Sequence, residues 1–123
     1  MGYVERRKTQ RQLVSAPAFC EVQPSRHDKS SFVDEKQFEA RLTNLSRGGA
    51  GIVADPYLPL ETVLVVKVSM AKLRGEAETG DDIFLKGEVR ACRKTMEGKH
   101  QINIFFSKLD KPSWIAVNDY LKR

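Results

Sequence analysis

Four cationic side chains are concentrated at the N-terminus of the chain. Arg6, Arg7, Lys8 and Arg11 lie within the first eleven residues, where Glu5 is the only acid. A guanidinium group can hold phosphate oxygens or a guanine edge through two parallel hydrogen bonds, whereas a lysine ammonium acts as a point charge. The segment therefore predicts an exposed cationic arm that could grip an anion, although a solvated charged arm is the commoner use of such a segment.

A second group of polar residues runs from Asn44 to Gly49, with the sequence Asn-Leu-Ser-Arg-Gly-Gly. Asn44 and Ser46 are two residues apart, so at a strand end their side chains point to the same face. An amide and a hydroxyl together offer donors and acceptors that match a purine edge or a ribose. Gly49 leaves space where a ligand or a neighbouring backbone must come close. Asn, Ser and Gly are also ordinary turn residues, so a purely structural turn remains an alternative.

The remaining reactive side chains do not form a catalytic or metal-binding pattern. The two histidines, His27 and His100, are isolated from each other and from the two cysteines, Cys20 and Cys92. The adjacent acids at 34–35 and 81–82 lie in polar loops, where solvation is their expected role. We therefore expect neither an enzyme nor a metal or cofactor site. Both cysteines lie in apolar runs without secretory context, and we interpret them as buried free thiols.

Hydrophobic periodicity predicts the elements that must position these residues. Alternation with a period of two favours about six strands, in the runs 13–22, 37–43, 50–54, 61–73, 83–95 and 100–106. Pro17 in the first run suggests an edge position or a bulge, and Ile83, Leu85, Val89 and Ala91 are expected on one face of the fifth. Many short strands separated by turn signals favour a barrel or a sandwich.

The last segment changes to helical spacing. Trp114, Val117 and Leu121 recur at intervals of three and four residues. Asp110 can cap the start of this helix, and Pro112 lies in the first turn, where proline is tolerated.

Size and charge set the class of protein. The chain has 123 residues, a formal net charge of +5 and an isoelectric point near 9.4. These values suit one soluble domain with a preference for anionic partners. No apolar run reaches the length of a signal peptide core or a membrane span. We therefore expect a cytoplasmic protein without membrane insertion.

The two polar motifs, taken in order with a strand between them, resemble those of the PilZ domain family. That family is marked by R-x-x-x-R on an N-terminal arm and by [D/N]-x-S-x-x-G after the second strand. Arg7 and Arg11 fit the first motif, and Asn44, Ser46 and Gly49 fit the second. The resemblance implies an all-β fold, a six-stranded antiparallel split or Greek-key-like barrel with a short C-terminal helix. It also implies one domain over 1–123, with a flexible arm at 1–11, the barrel at 12–107 and the helix at 110–122.

The same resemblance implies a bacterial receptor for the second messenger cyclic di-GMP. In that reading Arg7 and Arg11 grip phosphates and guanine edges, Asn44 and Ser46 hydrogen-bond guanine, and the glycines at 48–49 leave room for the ligand. Arg6 precedes the first motif, and an arginine there is associated in the family with two intercalated ligand molecules. Position 44 carries an amide, whereas a carboxylate would suit the N–H edge of guanine better. We therefore expect a somewhat lower affinity for cyclic di-GMP than a carboxylate at this position would give.

Several alternatives remain open at the level of sequence. Arg90 and Arg93 could line the same surface, although a solvated strand face is the simpler interpretation. A barrel that binds RNA or single-stranded DNA would need aromatic residues interleaved with basic ones, and no such stripe is visible along the strands. A PilZ-like adaptor that has lost its ligand is disfavoured by the intact motifs. The ligand-binding reading implies a conformational change that signals to a protein partner, in motility, biofilm or exopolysaccharide control, with no specific nucleic acid involved.

Overall fold

A computed structural model describes residues 11–23, 36–75 and 81–122 of the chain. Its strands and helices, in chain order, are β1 (Gln12–Gln23), β2 (Gln37–Leu45), β3 (Gly49–Ala54), β4 (Val63–Ser69), α1 (Met70–Leu73), β5 (Asp82–Lys94), β6 (His100–Phe106) and α2 (Lys111–Leu121).

The six strands close into a barrel in the order β1-β2-β3-β6-β5-β4, and every neighbouring pair is antiparallel. Because the barrel is closed, each strand is hydrogen-bonded to a neighbour on both sides along most of its length. With the C-terminal helix α2, this architecture confirms the expected fold. Because β3 and β4 are three strands apart in either direction around the ring, they lie on opposite sides of the barrel.

Alternating side chains build the core. On β4, Leu64, Val66 and Val68 are buried, whereas Lys67 between them is exposed. The inward positions of all six strands meet in one cluster, to which Leu58 and Val117 also contribute. Burying a Leu, Val or Ile side chain contributes roughly 1.5–3 kcal/mol, so this cluster accounts for most of the driving force for closure.

The alternation of buried and exposed residues is interrupted in β2, where Leu42 and Leu45 are both buried and the β2–β3 register shifts, and in β5. β1 keeps its alternation although its register with β2 shifts. The β1–β2 register shifts between Leu13 and Ala16, close to Pro17. The pairing of β5 with β6 shifts between Val89 and Ala91. The expectation that Ala91 continues the inward face of Val89 was wrong, because the extra residue in this bulge inverts the alternation and Cys92 packs against the core instead.

The run predicted as one strand over 61–73 is shorter in the structure. β4 ends at Ser69, whose hydroxyl accepts a hydrogen bond from Lys72 N at 3.3 Å and caps the one-turn helix α1. Met70, Ala71 and Leu73 are buried at helical spacing. Helix α1 could not be distinguished from a strand in the sequence, because its apolar residues continue the hydrophobic run of β4.

Helix α2 begins where the sequence indicated. Asp110 is its N-cap and accepts a hydrogen bond from Ser113 N at 2.8 Å. The pKa of this exposed carboxyl lies below its usual value, first because of a hydrogen bond with the Ser113 side chain and second because of the one from Ser113 N. Val117 is fully buried, but Trp114 is 43% exposed, so the expected apolar face does not extend to the first turn. Ser113 takes the inward position there, and its hydroxyl accepts a hydrogen bond from Phe84 N at 3.0 Å.

The two cysteines are free thiols, as expected. Cys20 lies in the core, and burial raises its pKa to about 12. Cys92 is only half-buried. Desolvation raises the pKa of its thiol, and the hydrogen bond from the N–H of Leu58, 3.5 Å from Sγ, offsets part of that rise. Neither thiol is in an environment that favours a reactive thiolate. In the described part of the chain no helix is long and apolar enough to cross a membrane.

Candidate functional site

Asn44, near the C-terminal end of β2, is the point where the two sequence motifs meet. Arg11 Nη1 donates a hydrogen bond to Asn44 Oδ1 at 2.6 Å, across 33 positions of sequence. A guanidinium group has no acceptor, so this contact determines which end of the amide faces Arg11. The amide nitrogen, with its two donors, therefore points away from Arg11.

Gly51 on β3 provides the space in which the Asn44 amide lies. The two residues are paired in the β2–β3 ladder, and a Cβ added to Gly51 would overlap the Asn44 amide nitrogen. Gly51 was not among the residues predicted to form the site. The only available signal was a third glycine, two residues after the motif, in a strand that otherwise reads Ala-x-Ile-Val-Ala.

Ser46 is buried and serves the turn that follows β2. Its hydroxyl donates to Gly49 O at 3.2 Å and accepts from Gly49 N at 3.1 Å, and Ser46 N donates to the same carbonyl at 2.9 Å. The single donor of the hydroxyl is thereby used. Asn44 lies on the outer surface, whereas the Ser46 hydroxyl points into its own turn. The two side chains therefore do not share one face, contrary to the expectation from their spacing.

The two glycines of this turn are packed against β6. Gly48 O accepts a hydrogen bond from Phe106 N at 2.9 Å. A Cβ on Gly49 would overlap the carbonyl oxygen of Ile104. Of the two reasons considered for Gly49, the structure shows the close approach of a neighbouring backbone.

A row of outward positions links Asn44 to β6 and β5. In the ladder Asn44 is opposite Gly51, Gly51 is opposite Asn103, and Asn103 is opposite Ala91. Asn103 is half-buried and Ala91 is small, so this row forms a shallow track with amide groups at two points.

Arg90 and Phe105 form a stacked pair beside this track. The Arg90 guanidinium carbon lies 5.2 Å from the centre of the Phe105 ring, and Phe105 is 51% exposed. Arg90 is the residue of the β5 bulge, and Phe105 is the outward residue of β6 after Asn103. We call the outer surface of β2, β3, β6 and β5 that carries Asn44, Asn103, Phe105 and Arg90 the Asn44 face.

The charge of the Asn44 face is predominantly positive. Arg11 is at its β2 side, and Arg93 is exposed on β5 opposite Gln101. Arg41 on β2 donates a hydrogen bond to Ser15 Oγ at 2.8 Å. Glu88, opposite Phe105, contributes a carboxylate. Arg6 and Arg7, the other two arginines predicted to bind the ligand, lie outside the described residues.

Among the described residues, no group of three or more His, Cys, Asp or Glu side chains could hold a metal ion. The Asn44 face therefore offers guanidinium groups, amides and one aromatic ring on a partly exposed surface. Such a set recognises phosphates and stacked heterocyclic bases.

Comparison with known proteins places this barrel in a family. The sequence matches the PilZ domain profile over residues 5–123, and the chain belongs to the PilZ domain family. A search of curated proteins gave no match.

Two solved structures share the fold. One is the Bacillus subtilis inhibitor of motility MotI/DgrA, with a TM-score of 0.70 and 20% identity, and the match covers 96% of this chain and 50% of that one. The other is the PilZ domain of YcgR from Escherichia coli, solved with cyclic di-GMP. Its TM-score is 0.59 at 17% identity, and the match covers 95% of this chain and 89% of that one. This chain thus spans half the length of the MotI/DgrA chain.

Proposed function

We propose that this chain is a cyclic di-GMP receptor, with no catalytic activity, that binds the dinucleotide between its N-terminal arginines and the Asn44 face. The observation that carries the proposal is the 2.6 Å hydrogen bond from Arg11 to Asn44, because it joins the arm motif to the barrel motif at one place. Membership of the PilZ family and the ligand in the YcgR structure support the same ligand class.

Each group then has a distinct role in binding. Arg7 and Arg11 grip phosphates and a guanine edge, and Arg6 offsets the added negative charge when two intercalated molecules are bound. Asn44, whose oxygen is bonded to Arg11, offers its N–H donors to the acceptor edge of guanine, O6 and N7. Gly48 and Gly49 keep the turn compact beside this edge. Ser46 would contact a base only if it gave up its hydrogen bonds to Gly49.

In the proposed complex Arg6 and Arg7 join Arg11 in contact with the ligand on the Asn44 face. The bound dinucleotide and these arginines together would form a surface that a partner protein recognises, and the signal would pass through that recognition.

The proposal is tested by calorimetric titration of the full chain with cyclic di-GMP. We expect measurable heat, with a stoichiometry that separates one ligand molecule per chain from two. A twelve-residue oligo(dT) is the control, and we expect it to bind weakly and to lose affinity steeply with added salt. Tight binding of oligo(dT) without binding of the dinucleotide would replace this proposal by the nucleic-acid-binding alternative.

Arg90 and Phe105 are expected to stack on a guanine base. Base stacking on an aromatic side chain contributes about 1–3 kcal/mol, so Phe105→Ala should weaken cyclic di-GMP binding by about 5- to 150-fold. The matched control is Phe84→Ala, which removes a phenyl group of similar exposure, 44% against 51%, from a position outside the Asn44 face. Equal affinities of the two variants would show that Phe105 does not contact the ligand.

A further inference from the structure

The outer surface of the barrel on the side of β4 carries an aromatic–cation–aromatic row. Phe19 on β1 is opposite Lys67 on β4, and Lys67 is opposite Phe84 on β5. The two rings are 39% and 44% exposed, and Lys67 Nζ lies 5.8 Å from the centre of the Phe19 ring. We call the surface that these three residues define the Lys67 face.

The Lys67 face is separate from the candidate ligand site. β4 lies on the opposite side of the ring of strands from β3, which carries the centre of the Asn44 face. Lys67, at the centre of this face, therefore lies on the far side of the barrel from Gly51 and the Asn44 amide.

The two exposed rings are not required by the core. The inward residues of the same strands, among them Cys20, Val66 and Leu85, are fully buried without them. The apolar surface extends to Val65, the outward residue of β4 two positions before Lys67, which is half-buried. Clusters of exposed aromatic residues on a soluble protein mark interaction surfaces.

The charges around the row have a definite arrangement. Lys67 is at the centre, and Lys86 lies opposite Val65 in the next outward row. The carboxylates are at the margin: Glu39 opposite Phe19, Glu21 beside it on β1, and Asp82 at the start of β5. Glu21 accepts a hydrogen bond from Gln37 Nε2 at 3.3 Å.

A shallow hollow of about 550 Å³ adjoins the row. Its lining is mixed, with Pro17, Ala18, Phe19 and Ala40 beside the polar and charged residues Glu39, Lys67, Ser69, Lys72 and Asp82. The hollow therefore brings both charges and the Phe19 ring within reach of a docked partner.

The spacing of the row matches one face of an α-helix. Neighbouring strands are about 4.8 Å apart, so the backbones at Phe19 and Phe84 are separated by about 10 Å, with Lys67 midway. A helix rises about 10.5 Å over seven residues and about half of that over three or four. Strand addition is excluded here, because β4 is paired with β1 and β5 on both sides.

We propose that the Lys67 face docks an amphipathic helix of a partner protein. That helix carries apolar side chains at positions i and i+7, a carboxylate at i+3 or i+4 that meets Lys67, and basic residues on its flanks that meet the marginal acids. Single-stranded nucleic acid is the less favourable occupant, because three carboxylates surround the row and would repel its phosphates.

The probe is a synthetic Ala-rich helical peptide of sixteen residues with Leu at i and i+7, Glu at i+4 and Lys at flanking positions. Its controls are a peptide with Lys in place of that Glu and a scrambled peptide. Binding to the isotope-labelled full chain is followed by amide chemical shifts. We expect the Glu peptide to shift amides of β1, β4 and β5, and the scrambled peptide to leave them unchanged.

Charge exchange makes the test specific. Lys67→Glu should weaken binding of the Glu peptide by at least about tenfold and favour the Lys peptide, and Phe84→Ala should weaken binding of the Glu peptide similarly. Arg90→Ala, on the opposite face, should change neither. Thermal melts of all variants should stay close to that of the parent chain, because these side chains are exposed.

Absence of binding at about 1 mM Glu peptide, or equal binding to Lys67→Glu and the parent chain, would overturn the proposal. So would Lys67-dependent binding of a twelve-residue oligo(dT) to these strands. Cyclic di-GMP binding by Lys67→Glu and Phe84→Ala should equal that of the parent chain, so failure of this inference and failure of the proposed receptor function give different results.

Discussion

Replacing Arg11 by alanine is expected to remove most of the cyclic di-GMP binding while the thermal unfolding of the free protein hardly changes. Arg11 is exposed, and its hydrogen bond to Asn44 is also exposed, so its contribution to folding is small. In the proposed complex the same guanidinium group makes charge-assisted contacts, each contributing about 1.5–3 kcal/mol. The affinity should therefore fall by about ten- to hundredfold or more, as measured by calorimetry. We expect a similar loss for Arg7→Ala.

Two control variants distinguish the loss of the guanidinium group from the loss of one positive charge. Lys72→Ala removes one exposed positive charge from α1, which directly follows β4, and should leave affinity unchanged at moderate salt. Arg11→Lys keeps the charge but not the planar fork, so it should recover only part of the affinity. A drop in melting temperature without a loss of binding would mean that the arm has a structural role instead.

Two glycine substitutions in the same strand should have opposite consequences. In Gly51→Ala the new methyl group overlaps the end of the Asn44 side chain, which can rotate away from it. That rotation breaks the contact with Arg11, so we expect a fall in cyclic di-GMP affinity of about tenfold or more. The free energy of unfolding should change by less than about 1 kcal/mol.

In Gly49→Ala the methyl group overlaps a backbone oxygen, that of Ile104, which cannot move without disturbing the β3–β6 ladder. We expect a loss of about 1–3 kcal/mol in the free energy of unfolding, or more, visible in denaturant titration. A stable Gly49→Ala variant, or a Gly51→Ala variant that loses stability but keeps its affinity, would contradict the roles assigned to these two positions.

Much of the fold could be predicted because it depends on local pattern. The alternation of Leu64, Val66 and Val68 with polar neighbours identified β4, and the sequence from Asp110 to Ser113 identified the start of α2. The family could also be identified, because its two motifs are short stretches of contiguous sequence. The ligand roles of Arg6, Arg7 and the other motif residues remain predictions.

Features that depend on which strands are neighbours could not be read from the sequence. The bulge at Arg90 inverts the faces of β5, and a side chain's face beyond such a point depends on the register with β6. Ser46 could be a turn residue or a ligand residue until its bonds to Gly49 were seen. No stripe of aromatic and basic residues exists along any one strand, yet Phe19, Lys67 and Phe84 form one across three.

The amino-acid sequence by itself determined the period of the six strands and of α2, the Asp110 cap, most of the inward residues and the two motifs, because these follow from interactions between residues close in the chain. Tertiary structure alone decided that Arg11 meets Asn44 over Gly51, that Phe105 and Arg90 lie beside them, and that Lys67 lies between two rings. These contacts join residues far apart in sequence, and barrel closure with a single register brings them together.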